Sequence, residues 1–230
     1  MMEHLFDPWG RLDAMDVALQ GSLLDLTDEM TLCDLAPGLR RTVIGMGAWV
    51  EVRPGWLAAG DDLFAALLHD VPWHAERRKM YDSIVDVPRL TKFYGAGERL
   101  PHPMLGAARD ALSAHYRAEL GEPFATAGLC LYRDGRDSVA WHGDRIGRSK
   151  DLDTIIAILS LGSARTLTLR PRDGGSIPGS SQKSLRFPLA HGDLVVMGGS
   201  CQRTWDHAIP KTTEPVGPRI SVQFRVAGVR

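Results

Sequence analysis

Nothing in this sequence approaches the roughly 18 consecutive apolar residues that a membrane-spanning helix needs, so no membrane partner is expected. The first residues, Met-Met-Glu-His-Leu-Phe-Asp, lack the basic and apolar regions of a secretory signal. Cysteine is scarce: Cys33, Cys130 and Cys201 are odd in number and far apart, which excludes a disulfide framework and points to a reducing, cytoplasmic setting. There is no internal repeat and no low-complexity run. A formal net charge of −1 gives no global attraction to nucleic acid. What is present is ordinary for a soluble domain: 44% hydrophobic and 24% charged residues, in 230 residues that suffice for one full core.

Residues 1–40 are acidic and poorly patterned. They read as a weakly helical tail or packing arm, leaving 41–230 as the domain. Val43 to Val52 reads as one strand, stopped by Arg53-Pro54-Gly55. Asp61 is expected to cap a short helix over Leu63 to Leu68. Met104 to Leu120 keeps Leu105, Ala108, Leu112 and Tyr116 near one stripe and stops at Gly121, as an amphipathic helix does. From Gly128 the texture changes to short strands broken by turns: Leu129–Tyr132, Thr154–Leu161, Arg165–Arg170, Asp193–Met197 and Arg219–Arg225. Helices followed by many short strands predict an α+β fold, a jelly roll buttressed by N-terminal helices.

The last strand splits cleanly by face. Ile220, Val222 and Phe224 lie on one side; Arg219, Ser221, Gln223 and Arg225 lie on the other. Taken alone, the polar side fits a solvated edge and a buried site equally well. Trp141-His142-Gly143-Asp144 puts an imidazole and a carboxylate on one face of an extended segment. His207 on a later strand would complete a two-His, one-carboxylate triad, the donor set of non-haem Fe(II) oxygenases. A competing pair, His191-Gly192-Asp193, opens the apolar run Leu194–Met197, where a turn is expected. Arginine suits a carboxylate partner because its planar fork donates two parallel hydrogen bonds.

These residues, in this order, resemble the AlkB family of Fe(II)- and 2-oxoglutarate-dependent dioxygenases. The matching segments are Tyr132 to Asp144, Gly192 to Met197, Trp205 to Lys211, and Arg219 with Arg225. The resemblance implies a double-stranded β-helix core. It implies Fe(II) on His142, Asp144 and His207, with O2 as co-reactant. Arg219 would pair with the distal carboxylate of 2-oxoglutarate, Tyr132 would support it, and Arg225 would line the pocket near Asp144. The family usually has asparagine where this chain has Cys130 and Ser221. Neither replacement offers the amide, and a lost hydrogen bond costs about 0.5–1.5 kcal/mol. The reaction implied is oxidative demethylation of alkylated bases such as 1-methyladenine and 3-methylcytosine, releasing succinate, carbon dioxide and formaldehyde.

The expected partner is therefore alkylated single- or double-stranded nucleic acid, met by a monomer. Residues 145–186 carry eight basic side chains against three acids, a local net of +5. That strip fits a solvated face or a rim that meets phosphates. Tyr94, Trp73 and Tyr81 are candidates to touch base or backbone; Lys92, Arg165, Arg170 and Arg172 are candidates for phosphate. Trp141 reads as a structural neighbour of the metal pair. Two rivals stand beside this reading: an oxygenase of the same fold acting on a protein side chain or small molecule, and a non-catalytic cupin-like binding protein whose arginines would be solvated.

Overall fold

The strand Arg219–Val226 is an interior strand of an eight-stranded antiparallel sheet, so its polar face is no edge. The computed structural model describes residues 29–80, 83–144 and 151–229. In chain order the strands are β1 (Thr31–Leu32), β2 (Arg40–Gly45), β3 (Ala48–Arg53), β4 (Leu57–Ala58), β5 (His74–Met80), β6 (Ser83–Tyr94), β7 (Phe124–Tyr132), β8 (Val139–His142), β9 (Ile156–Gly162), β10 (Arg165–Pro171), β11 (Leu185–Leu189), β12 (Leu194–Gly199), β13 (Trp205–Ile209) and β14 (Arg219–Val226). The helices are α1 (Asp61–Asp70), α2 (Pro103–His115), α3 (Arg117–Leu120) and α4 (Cys201–Thr204). The major sheet runs β2-β3-β12-β9-β14-β7-β6-β5; the minor sheet runs β11-β10-β13-β8. This is the expected double-stranded β-helix.

Two cores flank the major sheet. On its outer face Ile220, Val222 and Phe224 of β14 pack with Leu63 and Leu67 of α1 and Leu105, Ala108 and Leu112 of α2. Burying each such large side chain contributes about 1.5–3 kcal/mol, so the helices hold β14 from behind. The second core lies between the sheets and joins Ile156, Ile158, Leu167, Leu169, Val195 and Met197. The same period-2 alternation that sends Phe224 to the helices sends Arg219, Ser221, Gln223 and Arg225 into the space between sheets.

Five sequence expectations change. Residues 29–40 are part of the fold: β1 pairs with β4, and Leu35 is buried in the helix-side core. The tail reading of 1–28 lies outside the described residues. The predicted strand over 43–52 is a hairpin, β2 and β3, folded at Gly45-Met46-Gly47, where all three residues take positive φ. Asp61 is the first helical residue of α1, with Gly60 at the cap position, and no side chain caps that end. Strands also precede the main helix: β5 and β6 form a long hairpin on the sheet edge. Its first strand, His-Ala-Glu-Arg-Arg-Lys-Met, is mostly charged, so no apolar alternation announced it. The helix predicted over 104–120 is α2 and α3, with Tyr116 at the junction and Gly121 ending α3 at φ +73°.

Candidate active site

β8 and β13 pair so that His142 and His207 sit directly opposite each other, their ring centroids 4.3 Å apart. Asp144, two residues past His142, reaches the same point, and the three ligand atoms lie within 4.8 Å of one another. His142 Nδ1 is 2.8 Å from the Ala140 carbonyl. A carbonyl only accepts, so the proton is on Nδ1 and the Nε2 lone pair is left toward Asp144 Oδ1, 3.4 Å away. The backbone N–H of Asp144 donates to Gln202 Oε1 at 3.0 Å, which fixes the start of this segment on α4.

The charges around the triad favour a deprotonated donor set. Burial pushes the Asp144 carboxyl up, but the Arg225 guanidinium beside it outweighs that and holds the group well below the usual carboxylate range. Arg225 Nε and Nη2 both donate to Asp144 Oδ2, at 2.9 and 2.6 Å. His207 is pushed down to about 3, first by burial and then by His142, so its imidazole is neutral and ready to ligate.

Across the cavity, Arg219 is buried at 1% exposure. Its Nε donates to Ser160 Oγ at 3.0 Å, whereas Nη1 has no hydrogen-bond partner among the described residues. A buried, unpaired guanidinium N–H is costly unless something arrives to accept from it. Tyr132 lies opposite Arg219 in the β7–β14 ladder, its ring 5.3 Å from the guanidinium carbon. Burial, with Cys130, pushes the Tyr132 phenol up to about 12, so it stays a hydroxyl. Cys130 and Ser221 face each other across the same ladder. The triad, Arg219, Arg225, Tyr132, Cys130 and Ser221 line one cavity of about 300 Å³, walled on the apolar side by Val139, Ile158, Leu167, Leu189 and Ile209.

Gly143 separates two of the triad residues for a steric reason. A Cβ there would overlap Arg172 Nη2 and come within 2.6 Å of the Gln202 carbonyl oxygen. The arginine could shift, but the backbone of α4 could not without moving His207 on β13. Gly143→Ala is therefore expected to weaken divalent-metal affinity about 10- to 100-fold, as displacement of a ligand's support does. Titration of the metal-free variant with Mn(II) would check it, and wild-type affinity would refute the packing argument.

The substrate-side expectations fare differently. Tyr94 is buried in the helix-side core, and Trp73 packs against that core with Nε1 donating to the Leu68 carbonyl. Lys92 shares the face of β6 with Leu90 and Tyr94, its Nζ 5.3 Å from the Tyr94 ring. None of the three lines the cavity. Arg165 is buried and donates to the carbonyls of Asp134, Asp137 and Pro210, so it clamps loops and is closed to phosphate. Arg172 is held by Asp206 Oδ1 at 3.0 Å and by the carbonyls of Gln202 and Trp205. Arg170 is half-exposed on the outer face of the minor sheet, its guanidinium 4.5 Å from the centroid of the Trp141 ring. Tyr81 lies outside the described residues, as do Arg145, Arg148 and Lys150 of the basic strip. His191 and Asp193 build the turn into β12: His191 Nδ1 accepts from Gly162 N, and Asp193 accepts from Gly55 N and Ala190 N.

Two polar cavity residues carry no role in the sequence reading. Arg89 lines the cavity from β6, with its Nε unpartnered among the described residues. The signal was available: Leu90 and Tyr94 mark the core face, so Arg89 must point the other way. Gln223 lines it from β14, between Ser221 and Arg225.

Residues 97–225, more than half of the chain, match the family described as the 2OG-Fe(II) oxygenase superfamily. The chain belongs to that superfamily. Within it, the AlkB resemblance holds. The chain is 33% identical over 188 residues to alpha-ketoglutarate-dependent dioxygenase alkB homolog 3 of Bos taurus, an alignment covering 75% of this chain and 64% of that protein. It is 27% identical over 181 residues to DNA oxidative demethylase ALKBH2 of Homo sapiens, covering 73% and 69%. The chain thus spans less than two thirds of the length of the bovine alkB homolog 3 relative. Among solved structures, OsALKBH1 superposes with a TM-score of 0.54 at 12% identity, covering 81% of this chain and all of that one. A Pseudomonas putida prolyl-4-hydroxylase superposes at 0.50 and 16% identity, covering 77% and 92%. At such identities the structural likeness speaks for the fold. No helix among the described residues is long and apolar enough to cross a membrane.

Proposed function

We propose that this chain is an Fe(II)- and 2-oxoglutarate-dependent dioxygenase that demethylates alkylated nucleobases of the 1-methyladenine and 3-methylcytosine type. The observation that carries the reading is one cavity in which the His142–Asp144–His207 triad faces a buried arginine with an unpartnered N–H. His142, Asp144 and His207 would hold Fe(II), a donor set that leaves positions for a keto acid and O2. When bound, iron would let O2 act as the oxidant: 2-oxoglutarate would supply two of the four electrons and leave as succinate and carbon dioxide, and the methyl C–H would supply the other two and become hydroxymethyl.

The chain's own residues do the rest. Arg219 would donate to the distal carboxylate and so set which end of the keto acid faces the metal. Tyr132, kept protonated, is a hydroxyl donor beside it. Arg225 keeps one oxygen of Asp144 occupied and the other turned toward the histidines. Val139, Leu167, Leu189 and Ile209 give the cavity an apolar wall, a low-dielectric side that strengthens the charge interactions beside it. A hydroxymethyl group on a base nitrogen then collapses to formaldehyde and the free base.

The nucleic-acid reading draws on the relatives, one of which is named a DNA oxidative demethylase, and on Arg89, a cation at the cavity wall whose Nη1 donates to the Ser138 carbonyl and whose Nε has no partner among the described residues. A buried metal requires the base to leave the stack or to come from a single strand. The burial of both Arg219 and Arg225 goes against the binding-protein rival, which requires them solvated.

Anaerobic Fe(II) and 2-oxoglutarate should together give the wild-type protein a weak visible charge-transfer band; its absence would end the enzyme reading. With single-stranded oligonucleotides carrying 1-methyladenine or 3-methylcytosine, aerobic turnover should release formaldehyde in step with succinate. Succinate without formaldehyde across the methylated set would transfer the proposal to a protein or small-molecule substrate.

A further inference from the structure

Among the described residues lining the cavity there is one carboxamide, and it is fully used. Gln223 Oε1 accepts from Arg225 Nη2 at 2.6 Å. That same nitrogen donates to Asp144 Oδ2 at 2.6 Å. At its other end, Gln223 Nε2 donates to Ser221 Oγ at 3.1 Å and to Cys130 Sγ at 3.4 Å. Ser221 is two residues from Arg219 on the same strand face, and Cys130 is two residues from Tyr132. The amide therefore joins the residues around the triad to those around the unpaired arginine.

The ladder is built to admit this arrangement. Gly128 stands opposite Gln223 in the β7–β14 register, in the middle of a strand where glycine costs stability. A Cβ at Gly128 would lie 2.8 Å from Arg225 Nη1 and 3.5 Å from Gln223 Oε1. The missing side chain is the space that the guanidinium and the amide occupy.

We infer that Gln223 is a positioning residue that couples the metal half of the site to the cosubstrate half; this rests on the proposed Fe(II) and 2-oxoglutarate assignment. Its carbonyl end fixes the rotation of Arg225 and, through it, the orientation of the Asp144 carboxylate. Its amide end occupies a thiol and a hydroxyl that accept hydrogen bonds poorly or at short reach, holding them in one arrangement. Asp144 is thereby sensitive to what happens beside Arg219, and metal and keto acid should bind with positive coupling.

The experiment is anaerobic binding with no turnover: Mn(II) titrated into metal-free protein, with and without 2-oxoglutarate, for wild type and two variants. Gln223→Leu removes both ends of the amide. It should weaken Mn(II) binding about tenfold, the usual scale for a ligand's supporting partner, and cut the tightening by 2-oxoglutarate to the part that direct ligation of the metal by the keto acid supplies. Gln223→Glu keeps an acceptor for Arg225 but loses the donor. It should hold Mn(II) affinity within about threefold of wild type while 2-oxoglutarate affinity falls at least tenfold. A merely structural role predicts that both affinities drop in proportion in both variants, and that result would overturn the inference. So would wild-type coupling in Gln223→Leu. Should Gln223→Leu fail to fold, the split in Gln223→Glu decides alone. Wild-type protein that binds neither Mn(II) nor Fe(II) would defeat the underlying assignment instead, and the control lane shows which has failed.

Discussion

Replacing Arg219 by alanine is expected to raise the apparent Kd for 2-oxoglutarate about 100- to 1000-fold while leaving metal affinity nearly intact. Hydrogen bonds to a charged partner contribute about 1.5–3 kcal/mol each. Losing a two-pronged pair thus costs roughly 3–4 kcal/mol, or two to three powers of ten. Metal affinity is spared because Asp144 is held by Arg225, and Arg219 touches no triad residue. Stability should move the opposite way. Burial pushes the Arg219 guanidinium down from its usual range, and Arg165 adds repulsion while Tyr132 and Cys130 only partly offset it. Among the described residues that cation has no carboxylate paired with it, so in the cosubstrate-free protein Arg219→Ala should melt no lower than wild type. Titration of the anaerobic charge-transfer band and a thermal melt test both halves. Unchanged 2-oxoglutarate dependence would refute the anchor; a melt many degrees lower would show that Arg219 is structural.

How far the sequence could be read follows from which signals are local. The triad and the inward face of β14 were legible because a strand alternates with period two, and the pattern Arg-Ile-Ser-Val-Gln-Phe-Arg leaves no doubt which residues share a face. The sequence does not announce β6 as a strand, so the rule is not available there: Tyr94 and Lys92 stand as candidates for base and phosphate, yet Tyr94 belongs to the apolar face with Leu90, and a shift of one residue exchanges the faces. Arg89 was the cavity cation all along. Arg165 and Arg172 depart from expectation for another reason: their charge is visible in the sequence, but their partners are not. Both spend donors on backbone carbonyls brought in from distant parts of the chain, which no spacing predicts. Gln223 was on the page as a polar residue of the right face; its role needed the third dimension, because Asp144 lies 81 residues from the Arg225 that links the two.

The second large effect is expected at Asp144, and it should appear in the metal-free protein as well as in the metal titration. Asp144→Ala removes the one anionic donor of the triad, so Fe(II) binding and turnover should be lost. It also strands Arg225, whose side chain is 9% exposed and whose chief partner is that carboxylate. Removing one member of a buried ion pair costs about 3–5 kcal/mol, because the remaining charge stays desolvated. For a domain of this size, each kcal/mol lowers Tm by about 2–4 °C, which sums to a fall on the order of 10 °C without any metal present. His207→Ala makes the contrast. It should abolish metal binding equally, yet His207 is neutral in the folded protein, so no charge is stranded and the metal-free melt should fall much less. A double variant, Asp144→Ala with Arg225→Met, should recover most of the lost Tm while still binding no metal, since an apolar replacement relieves the desolvated cation. Equal melts for Asp144→Ala and His207→Ala would show that Arg225 finds another partner and that the pair contributes ligation alone. Retained Fe(II) affinity in Asp144→Ala would take the carboxylate out of the metal site.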